Sequence, residues 1–409
     1  MVLLSSPLSY ALCSVLRQRR RTLSAVAAIA FGVVALILAA AFFEWIFWAT
    51  REGTIQNGLG HIHVARKGFH ESGASDIDTF RLPPTSEVLD ALRADPAVRT
   101  VAPRKSFSGL VSLGETTLSF IGEGVDADAE GKFGEAPFII DGEMLEASRP
   151  NEIIMGYGLA ANLGARVGDT AVLLANVPGG GINAVEGRVR GLFATPSKAY
   201  DDTAMRIPLT FANQLVRTEG AHRWVVVLND TDQTQEVLER LRKTYASSGF
   251  EFVPWYELAD FYNKTRDLLT RQMDVMFAII GVIIVLSISN SMTMGVLERT
   301  SEIGTAMALG TRRAGILLQF LVEGGLLGLL GGLLGAAAGI GLAWLISAIG
   351  IPMPPPPGQA RGFTAEMIVT GRHVAQAIGL ALVTSLLAAV YPSWKASRMP
   401  IVDALRHGR

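Results

Sequence analysis

Uncharged hydrophobic runs are the dominant pattern of this sequence. Four of them occur, at 23–43, 275–297, 324–353 and 374–394. About 20 apolar residues in an α-helix cross the hydrocarbon core of a bilayer, which is about 30 Å thick. The pattern therefore predicts a membrane protein with four transmembrane α-helices, which we place at 23–49, 273–297, 314–352 and 374–394.

Residues 50–272 contain no such run, and we expect a large α+β domain outside the membrane. Two similar segments lie near its ends, each consisting of a strand, a helix that opens with Ser, Thr or Asp, and a second strand. We expect them to pair in one layer formed by 50–106 and 216–272. Their elements are predicted at 61–69, 86–94 and 98–106, and at 222–230, 233–246 and 250–255.

Residues 107–215 have a different pattern, with many glycines and short alternating runs. Alternation of polar and apolar residues is typical of half-buried strands. We therefore predict a β-rich insert between the two halves of the layer. Its segment 177–181, VPGGG, has the composition of a flexible hairpin tip.

The positions of Lys and Arg predict the orientation, because these residues are enriched in short cytoplasmic flanks. They cluster before the first run, in 298–313 and in 395–409, whereas 353–373 contains two arginines. We expect both termini and 298–313 in the cytoplasm, and 50–272 and 353–373 outside. Residues 1–22 are either an amphipathic helix on the inner membrane surface or a simple positive anchor.

The segment 298–313 is charged although it lies between two hydrophobic runs. It contains Glu298, Arg299, Glu302, Arg312 and Arg313. It is too short to form a domain, so we expect a short helix on the cytoplasmic face that a protein outside the membrane can grip. The transmembrane helices on either side would then transmit the pull.

Composition excludes several classes of protein. The formal net charge of −1 gives no indication of nucleic-acid binding, and one cysteine, Cys13, allows no intramolecular disulfide. The sequence has no P-loop, no H-E-x-x-H, no C-x-x-C and no G-x-S-x-G motif. His61 and His63 would face the same side of a strand, but no third ligand is evident. We therefore expect no catalytic residues, no metal site and no enzyme activity in this chain.

The outer end of the first hydrophobic run carries a dense aromatic cluster. It is either a gate for an apolar cargo or an aromatic belt that anchors the helix in the headgroup region. Phe43 and Phe47 are four residues apart and share a helix face. The same region contains Glu44, which is either a residue at the water interface or a functional carboxylate within the membrane. The candidate gate consists of Phe42, Phe43, Ile46 and Phe47.

Glycines recur every four residues in the third run, a spacing that permits close contact between helices in lipid. The contact is either within the subunit or at a dimer interface. Glu323, at the start of this run, either pairs with a basic group of 298–313 or marks the interface. The packing candidates form two rows, with Gly324, Gly328 and Gly332 in the first and Gly331, Gly335 and Gly339 in the second.

Three segments resemble the signature of FtsX-like ABC transporter permeases, which are also called type VII permeases. They are ERTSEIGTAMALGTRR (298–313), FLVEGGLLGLLGGLLG (320–335) and YPSWKASRMPIVDALR (391–406). The order of one transmembrane helix, a large outer domain and three further helices is also similar. The family includes macrolide-exporter and lipoprotein-releasing permeases.

The resemblance implies an inner-membrane permease that works as a dimer, with a second copy or a paralogue, on two ABC ATPase subunits. ATP and Mg²⁺ would be bound by those ATPases, and this chain would bind no cofactor. The outer domain would consist of a porter-like layer and a sabre-like insert. Segment 298–313 would be the coupling helix, with contacts from Glu298, Arg299, Glu302, Ile303, Leu309, Gly310, Arg312 and Arg313.

The resemblance leaves the cargo open. Extraction of lipoproteins or lipid-like molecules from the outer leaflet is favoured, because the sequence contains no fused ATPase. The alternatives are efflux of hydrophobic drugs or peptides through a periplasmic adaptor, and mechanotransmission to a cell-wall hydrolase without transport. Membrane lipids and a lipoprotein acceptor are further expected partners, and a membrane enzyme is the least favoured class.

Overall fold

The structure, a computed structural model, describes residues 19–72, 79–133, 138–195, 198–353 and 363–400. It divides into two compact units. Within the described ranges, the helical unit comprises the residues from 19 to 48, 265 to 352 and 364 to 400, and the sheet unit comprises those between 49 and 264 together with 353 and 363.

The helices are α1 (Arg19–Thr54), α2 (Phe69–Ser72), α3 (Glu87–Ala94), α4 (Ala127–Glu130), α5 (Tyr157–Leu163), α6 (Lys198–Asp201), α7 (Leu209–Val216), α8 (Thr234–Thr244), α9 (Trp255–Leu258), α10 (Asp260–Glu298), α11 (Thr300–Ala308), α12 (Arg313–Ile349) and α13 (Gly371–Ser397). A π-helical turn, Ile55–Leu59, follows α1, and a 3₁₀ turn, Thr231–Gln233, precedes α8. The strands are β1 (Ile62–Arg66), β2 (Val98–Leu113), β3 (Thr116–Val125), β4 (Phe138–Gly142), β5 (Glu152–Gly156), β6 (Thr170–Asn176), β7 (Ile182–Ala194), β8 (Ala204–Pro208), β9 (Arg223–Leu228), β10 (Phe250–Pro254), β11 (Ile351–Met353) and β12 (Phe363–Ala365).

Within the described residues, four helices are long and apolar enough to cross a membrane, namely α1, α10, α12 and α13. This confirms the prediction of four transmembrane helices. Helix α10 has 39 residues and begins well before the predicted start at 273. Helix α12 ends at Ile349 rather than at 352. It ends there because Gly350 has a φ of 70° and donates its N–H to the carbonyl of Ile346, which closes the last turn.

The interior of the helical unit is apolar, and its buried hydroxyl groups are satisfied locally. Ile29, Val33 and Ile37 of α1 are fully buried. On α13, Thr384 donates to the carbonyl of Leu380 at 2.7 Å and Ser393 to that of Ala389 at 2.5 Å. In a bilayer no water reaches such groups, so bonds of this kind are what allow hydroxyl side chains inside a transmembrane helix.

The described strands of the sheet unit form one ten-stranded sheet in the order β10-β1-β9-β2-β3-β8-β5-β7-β4, with β6 paired to β2 and β7. The two similar segments do pair as expected. Strand β1 lies antiparallel between β10 and β9, and β2 lies antiparallel to β9. Helices α3 and α8 contribute buried leucines and valines to the core beside these strands.

The boundary placed between 106 and 107 differs from what the structure shows, because the single strand β2 runs through it. The strand changes partners instead of ending. Val98–Arg104 pairs with β9, whereas Arg104–Leu113 pairs with β3. Two hydrophobic cores nevertheless exist, one around Trp224 and one around Phe120 and Met155. The layer and the insert are therefore separate in their cores and continuous in their sheet.

The predicted hairpin tip at 177–181 is confirmed. Strands β6 and β7 pair antiparallel from Thr170–Arg188 to Asn176–Ile182. Between them Gly179, Gly180 and Gly181 all have positive φ values, which a residue with a Cβ rarely adopts. Several predicted features lie outside the described residues. They are most of the N-terminal segment 1–22 with Cys13, residues 354–362 of the predicted outer segment 353–373, and residues 401–409 of the tail.

Candidate functional site

The charged segment 298–313 is only partly helical. Helix α11 covers Thr300–Ala308, and the chain then turns at Gly310, whose φ of 99° favours glycine. One side of α11 is anchored, because Thr300, Ile303 and Gly304 are buried and Ile303 belongs to the core of the helical unit.

The opposite side of this segment is exposed. Leu309 has 84% of its surface accessible, an unusual exposure for a leucine. The exposed positions around it include Glu298, Glu302, Gly310, Arg312 and Arg313. The segment therefore presents an apolar tip with charges on both sides, fixed to the membrane helices through Ile303.

Arg299 joins the start of this segment to α12. Its Nη1 lies 3.3 Å from Oε2 of Glu323, and its Nε lies 3.4 Å from Oε2 of Glu302. The guanidinium group also lies over the ring of Phe320, 5.8 Å from the centroid. A carboxylate buried as deeply as that of Glu323 is stable only when it is paired. Of the two roles considered for Glu323, the structure shows pairing with a basic group of the segment.

The predicted packing glycines of α12 face other helices of the same subunit. A Cβ on Gly324 would lie 2.6 Å from Cβ of Ala389 on α13. On the second row, a Cβ on Gly331 would lie 2.6 Å from Cβ of Ile29, and one on Gly335 would lie 2.7 Å from the carbonyl oxygen of Ala30.

A Cβ on Gly328 would lie 2.7 Å from Cβ of Ser385 on α13. A Cβ on Gly332 would lie 3.6 Å from Cγ2 of Ile378, which is an ordinary contact distance. Gly339 faces Ile37 of α1. The two rows thus hold α12 against α1 and α13, and they pack within the subunit.

A cavity of about 770 Å³ lies between α1, α10 and α13. The residues at one end of each helix line it with polar groups, namely Glu44, Arg266, Asp274, Arg372 and His373. Oε2 of Glu44 lies 3.6 Å from Nε2 of His373. Further along α10 and α13 the lining becomes apolar, with Phe277, Val282, Val285, Leu286 and Leu380.

The aromatic cluster contributes one of its predicted gate residues to this cavity. Phe47 lines it beside Glu44, whereas Phe42, Phe43 and Ile46 do not. All four are half-buried. The ring of Phe42 stacks on Trp45 at 6.3 Å between centroids, and that of Phe43 lies 6.5 Å from Phe47. Of the helix face that Phe43 and Phe47 were predicted to share, Phe47 lies opposite α10 of the same subunit across the cavity.

Sequence reasoning missed the polar rim of the cavity, although a signal was present. Arg266, Thr270, Asp274, Gly281 and Val285 follow one another at intervals of about one or two helical turns, which places them on one face of α10. This face is polar at its beginning and apolar later. Because the uncharged run begins at 275, the hydrophobic pattern places 266–272 in the outer domain and separates these residues from the rest of the face.

The histidines considered as metal ligands have other contacts. His61 Nδ1 accepts from the N–H of Leu228 at 3.1 Å, and His63 Nε2 donates to the carbonyl of Leu59 at 2.7 Å. Burial lowers the pKa of His61 to about 4, with Arg99 and Arg51 acting in the same direction. Over the described ranges, no group of three or more His, Cys, Asp or Glu residues could hold a metal ion.

Comparison with known families assigns both parts of the chain. Residues 22–244 match the MacB-like periplasmic core domain, and residues 275–401 match the FtsX-like permease C-terminal family. This protein belongs to the FtsX-like permeases with a MacB-like periplasmic core. The sheet unit of this permease is therefore a periplasmic domain, and the protein is a membrane protein.

Individual relatives of this FtsX-like permease differ in their described roles. An uncharacterized ABC transporter permease of Methanocaldococcus jannaschii, MJ1507, is 30% identical over 52% of the chain and 53% of its own length. The macrolide export ATP-binding/permease protein MacB of Bdellovibrio bacteriovorus is 32% identical over 43% of the chain and 26% of its length. The lipoprotein-releasing system transmembrane protein LolC of Xylella fastidiosa (strain 9a5c) is 26% identical over 76% of the chain and 79% of its length. The chain thus spans about half or less of the first two relatives.

Proposed function

We propose that this FtsX-like permease is the membrane subunit of an ABC transporter in a bacterial inner membrane, with both termini and α11 in the cytoplasm. A separate ABC ATPase binds ATP and Mg²⁺, and its closure moves the membrane helices and the periplasmic domain. Two permease chains, identical or paralogous, work with two ATPase subunits. The observation that carries this proposal is the exposed tip at Leu309, anchored beneath by Ile303.

The contacts of the tip suit the transmission of force. Helix α11 follows α10 after one residue, Arg299, so a displacement of α11 moves α10 directly. The Arg299–Glu323 pair and the burial of Ile303 connect the same segment to α12. An apolar side chain surrounded by charges is the composition of a docking hot spot with a polar rim.

A photoreactive residue tests the docking. Placed at 309 in membranes that contain the transporter, it should capture a protein with the mass and P-loop peptides of an ABC ATPase. The matched control is position 268, because Leu268 is an exposed leucine at the other end of α10. Capture at neither position, or equal capture at both, would contradict the assignment of the coupling segment.

Substitutions in the segment separate docking from transmission. Glu302→Lys should reduce transport-linked ATP turnover while the chain is still inserted, because it reverses a charge beside the docking tip and opposes Arg299. Leu309→Met should retain turnover and Leu309→Asp should lose it, since only the former keeps an apolar tip. Normal pull-down and normal turnover in both Glu302→Lys and Leu309→Asp would refute the role of this segment.

For the cargo, we favour a lipoprotein or another amphiphile with an acyl chain, taken from the outer leaflet. The support is the gradient in the cavity, which extends along about 18 Å of α13 from Arg372 to Thr384, is charged at one end and becomes apolar further along. Its 770 Å³ falls within the range of about 300–1,000 Å³ that is usual for small-ligand sites. A headgroup at the rim and a chain in the apolar part would fill both regions.

Efflux of an apolar drug or peptide is the second candidate, because the apolar part of the cavity would also accept such a molecule. A photoreactive residue at 47 distinguishes the two. It should capture an acylated peptide in an ATP-sensitive way, whereas position 43, aromatic and half-buried but outside the cavity, should not. Displacement by a macrolide but not by a free fatty acid would favour efflux. Capture of bulk lipid alone, unchanged by ATP, would leave the aromatic residues as a membrane belt.

A further inference from the structure

A second cavity, of about 230 Å³, lies within the sheet unit and is lined by charged side chains. Its wall is built by the alternation of the strands. Glu123 on β3 is directly opposite Arg206 on β8 and Ser106 on β2, and Arg104 is opposite Arg223 on β9. Residues two apart on a strand share a face, so all of these side chains lie on one face of five neighbouring strands, together with His63 on β1.

Arg104, Arg206 and Arg223 form the cationic wall of the cavity, and carboxylates pair with part of it. Glu130 binds Arg104 through two hydrogen bonds, Nε–Oε1 at 2.8 Å and Nη2–Oε2 at 3.0 Å. Glu123 accepts from Arg223 and lies 3.6 Å from nitrogens of both Arg104 and Arg206. Burial alone would raise the pKa of Glu123, but the three arginines outweigh it and hold the pKa at about 2.

The charges of this cluster do not balance. Three guanidinium groups face two carboxylates, and burial together with Arg223 holds the pKa of His63 well below its ordinary value, so the imidazole is neutral. Counted over the described residues that line the cavity together with Glu130, which binds Arg104 beside it, one positive charge therefore remains. Buried charges are expensive to leave uncompensated. Water in the cavity could hydrogen-bond to these groups, but it could not supply the missing negative charge.

The unpaired atoms define what a ligand must offer. Among the described residues, Nε of Arg206, Nε of Arg223 and Nδ1 of His63 are buried and have no hydrogen-bond partner. Arg206 and His63 are 4% and 5% exposed. Because His63 Nε2 donates to the carbonyl of Leu59, its Nδ1 carries a lone pair and can only accept. The wall thus offers two N–H donors and one acceptor.

We propose that this cavity is a binding site for a small singly charged oxyanion that carries a hydroxyl hydrogen, of which dihydrogen phosphate is the simplest. Its oxygens accept from Arg206 and Arg223, its hydroxyl donates to Nδ1 of His63, and its charge neutralises the cluster. The cavity has the liquid volume of about seven or eight water molecules, which is ample for such an ion. Guanidinium groups are preferred partners of phosphate and carboxylate oxygens.

The position of the site suggests what occupancy does. His63, Arg104 and Arg223 belong to strands of the flanking layer, whereas Glu123, Tyr200 and Arg206 belong to the 107–215 insert. An anion bound to arginines of both parts ties the insert to the layer within the sheet unit. This inference does not depend on the transport proposal, since it concerns binding by the chain in the absence of ATP.

Calorimetry on the purified full chain in nanodiscs tests the proposal with inorganic phosphate, at constant ionic strength set with chloride. Phosphate should bind with one site per chain, and sulfate, which has no hydroxyl hydrogen at neutral pH, should bind at least about tenfold more weakly because a lone pair of His63 would face an oxygen of the ion. Phosphate that binds no better than chloride, or no better than sulfate, would overturn the proposal.

Variants keep the test independent of folding. Arg206→Gln should weaken phosphate binding by at least about tenfold, because it removes one charge-assisted partner and the surplus charge. Ile121 is 57% exposed and lines the cavity, so it can be changed without disturbing the core. Ile121→Glu should weaken binding and Ile121→Lys should not, and retention of full affinity in both Arg206→Gln and Ile121→Glu would refute the site.

A competition experiment between glycerol 3-phosphate and inorganic phosphate identifies the source of the anion. Glycerol 3-phosphate carries the same phosphate chemistry as a lipid headgroup. Its displacement of inorganic phosphate would support the site with a headgroup as a ligand. Failure to displace phosphate would support the site with the free ion alone.

Discussion

The cavity between α1, α10 and α13 and the cavity in the sheet unit bury polar groups in opposite ways. In the helical unit, charges stand at one end of the cavity and the remainder is apolar. In the sheet unit, charges form the wall itself, and Arg206 and His63 are almost completely buried there. The difference follows from geometry. One helix face can change from polar to apolar along its axis, whereas adjacent strands place their side chains in a row at the same level.

This difference shows which charges contribute to the stability of the fold. A group at the rim of the helical cavity keeps contact with water, so its removal disturbs little else. A carboxylate in the cationic wall pairs with several arginines and reduces the electrostatic repulsion between them. Removing one member of such a network leaves an uncompensated buried charge, which is far more costly than losing an exposed ion pair.

The largest effect is expected from Glu123→Leu. Among the described residues, the substitution leaves Glu130 as the one carboxylate that pairs with any of the three arginines of the cluster, Arg104, Arg206 and Arg223. The free energy of unfolding of the sheet unit should fall by about 3–5 kcal/mol, the usual cost of breaking a buried charge network. Hydrogen exchange of the amides of β3 and β8 in the full chain measures it.

The matched control for this substitution is Asp202→Ala. Asp202 pairs with Lys198, whose side chain is 84% exposed, so that loss should stay within about 0.5 kcal/mol. Equal exchange rates in Glu123→Leu and Asp202→Ala would show that the cationic wall is not structural.

Lowering the pH should weaken the same charge network without any substitution, and the effect is a loss of folding stability. The folded-state pKa of Glu123 is about 2, below its ordinary 4.5, because the three arginines outweigh the effect of burial. A depressed pKa means that the carboxylate stabilises the fold fully above about pH 4.5, and that this contribution is lost as the pH falls toward 2. The loss is on the order of 3 kcal/mol.

Stability of the sheet unit measured between pH 6 and pH 2.5 should therefore decline, and Glu123→Gln should remove part of the decline because it cannot titrate. An identical pH profile in the wild type and in Glu123→Gln would show that other carboxylates cause the acid sensitivity.

In the helical unit the sensitive positions should be small residues rather than charges. Gly331→Ala places a Cβ 2.6 Å from Cβ of Ile29, so α1 and α12 must separate. Overpacking of this kind costs about 1–3 kcal/mol. Gly341 is on the same helix and a Cβ there meets nothing within 4 Å, so Gly341→Ala is the control and should melt like the wild type in detergent. A lower melting temperature for Gly341→Ala than for Gly331→Ala would contradict the packing of α12 against α1.

The sequence predicted the features that depend on local pattern. The four transmembrane helices follow from uncharged runs, and the hairpin of β6 and β7 follows from Gly179–Gly181 between two alternating segments. The charged segment 298–313 was found because charges interrupt the hydrophobic pattern. Its helix proved shorter than 298–313, since Gly310 ends it with a left-handed backbone conformation.

The features that depend on register could not be predicted. Arg104, Glu123, Arg206 and Arg223 are far apart in sequence, and only the pairing of β2, β3, β8 and β9 brings them to one level. A shift of one residue in any strand would turn its charge to the opposite face. The cavity of the helical unit was missed for a related reason, since Glu44, Asp274 and His373 belong to three different helices.

The smallest effect is expected at the rim of the helical cavity, and it separates binding from stability. Glu44 keeps 42% of its side chain exposed and has one ion-pair contact, with His373 at 3.6 Å. Exposed pairs contribute about 0–1 kcal/mol, so Glu44→Gln should leave the melting temperature of the chain almost unchanged, in contrast to Glu123→Gln. The same substitution removes a charge from the part of the cavity that we assign to a cargo headgroup. Capture of an acylated peptide from position 47 should therefore change, in either direction, according to the charge of the headgroup. If Glu44→Gln destabilised the chain as much as Glu123→Gln does, the rim charge would be structural, and the contrast between the two cavities would not hold.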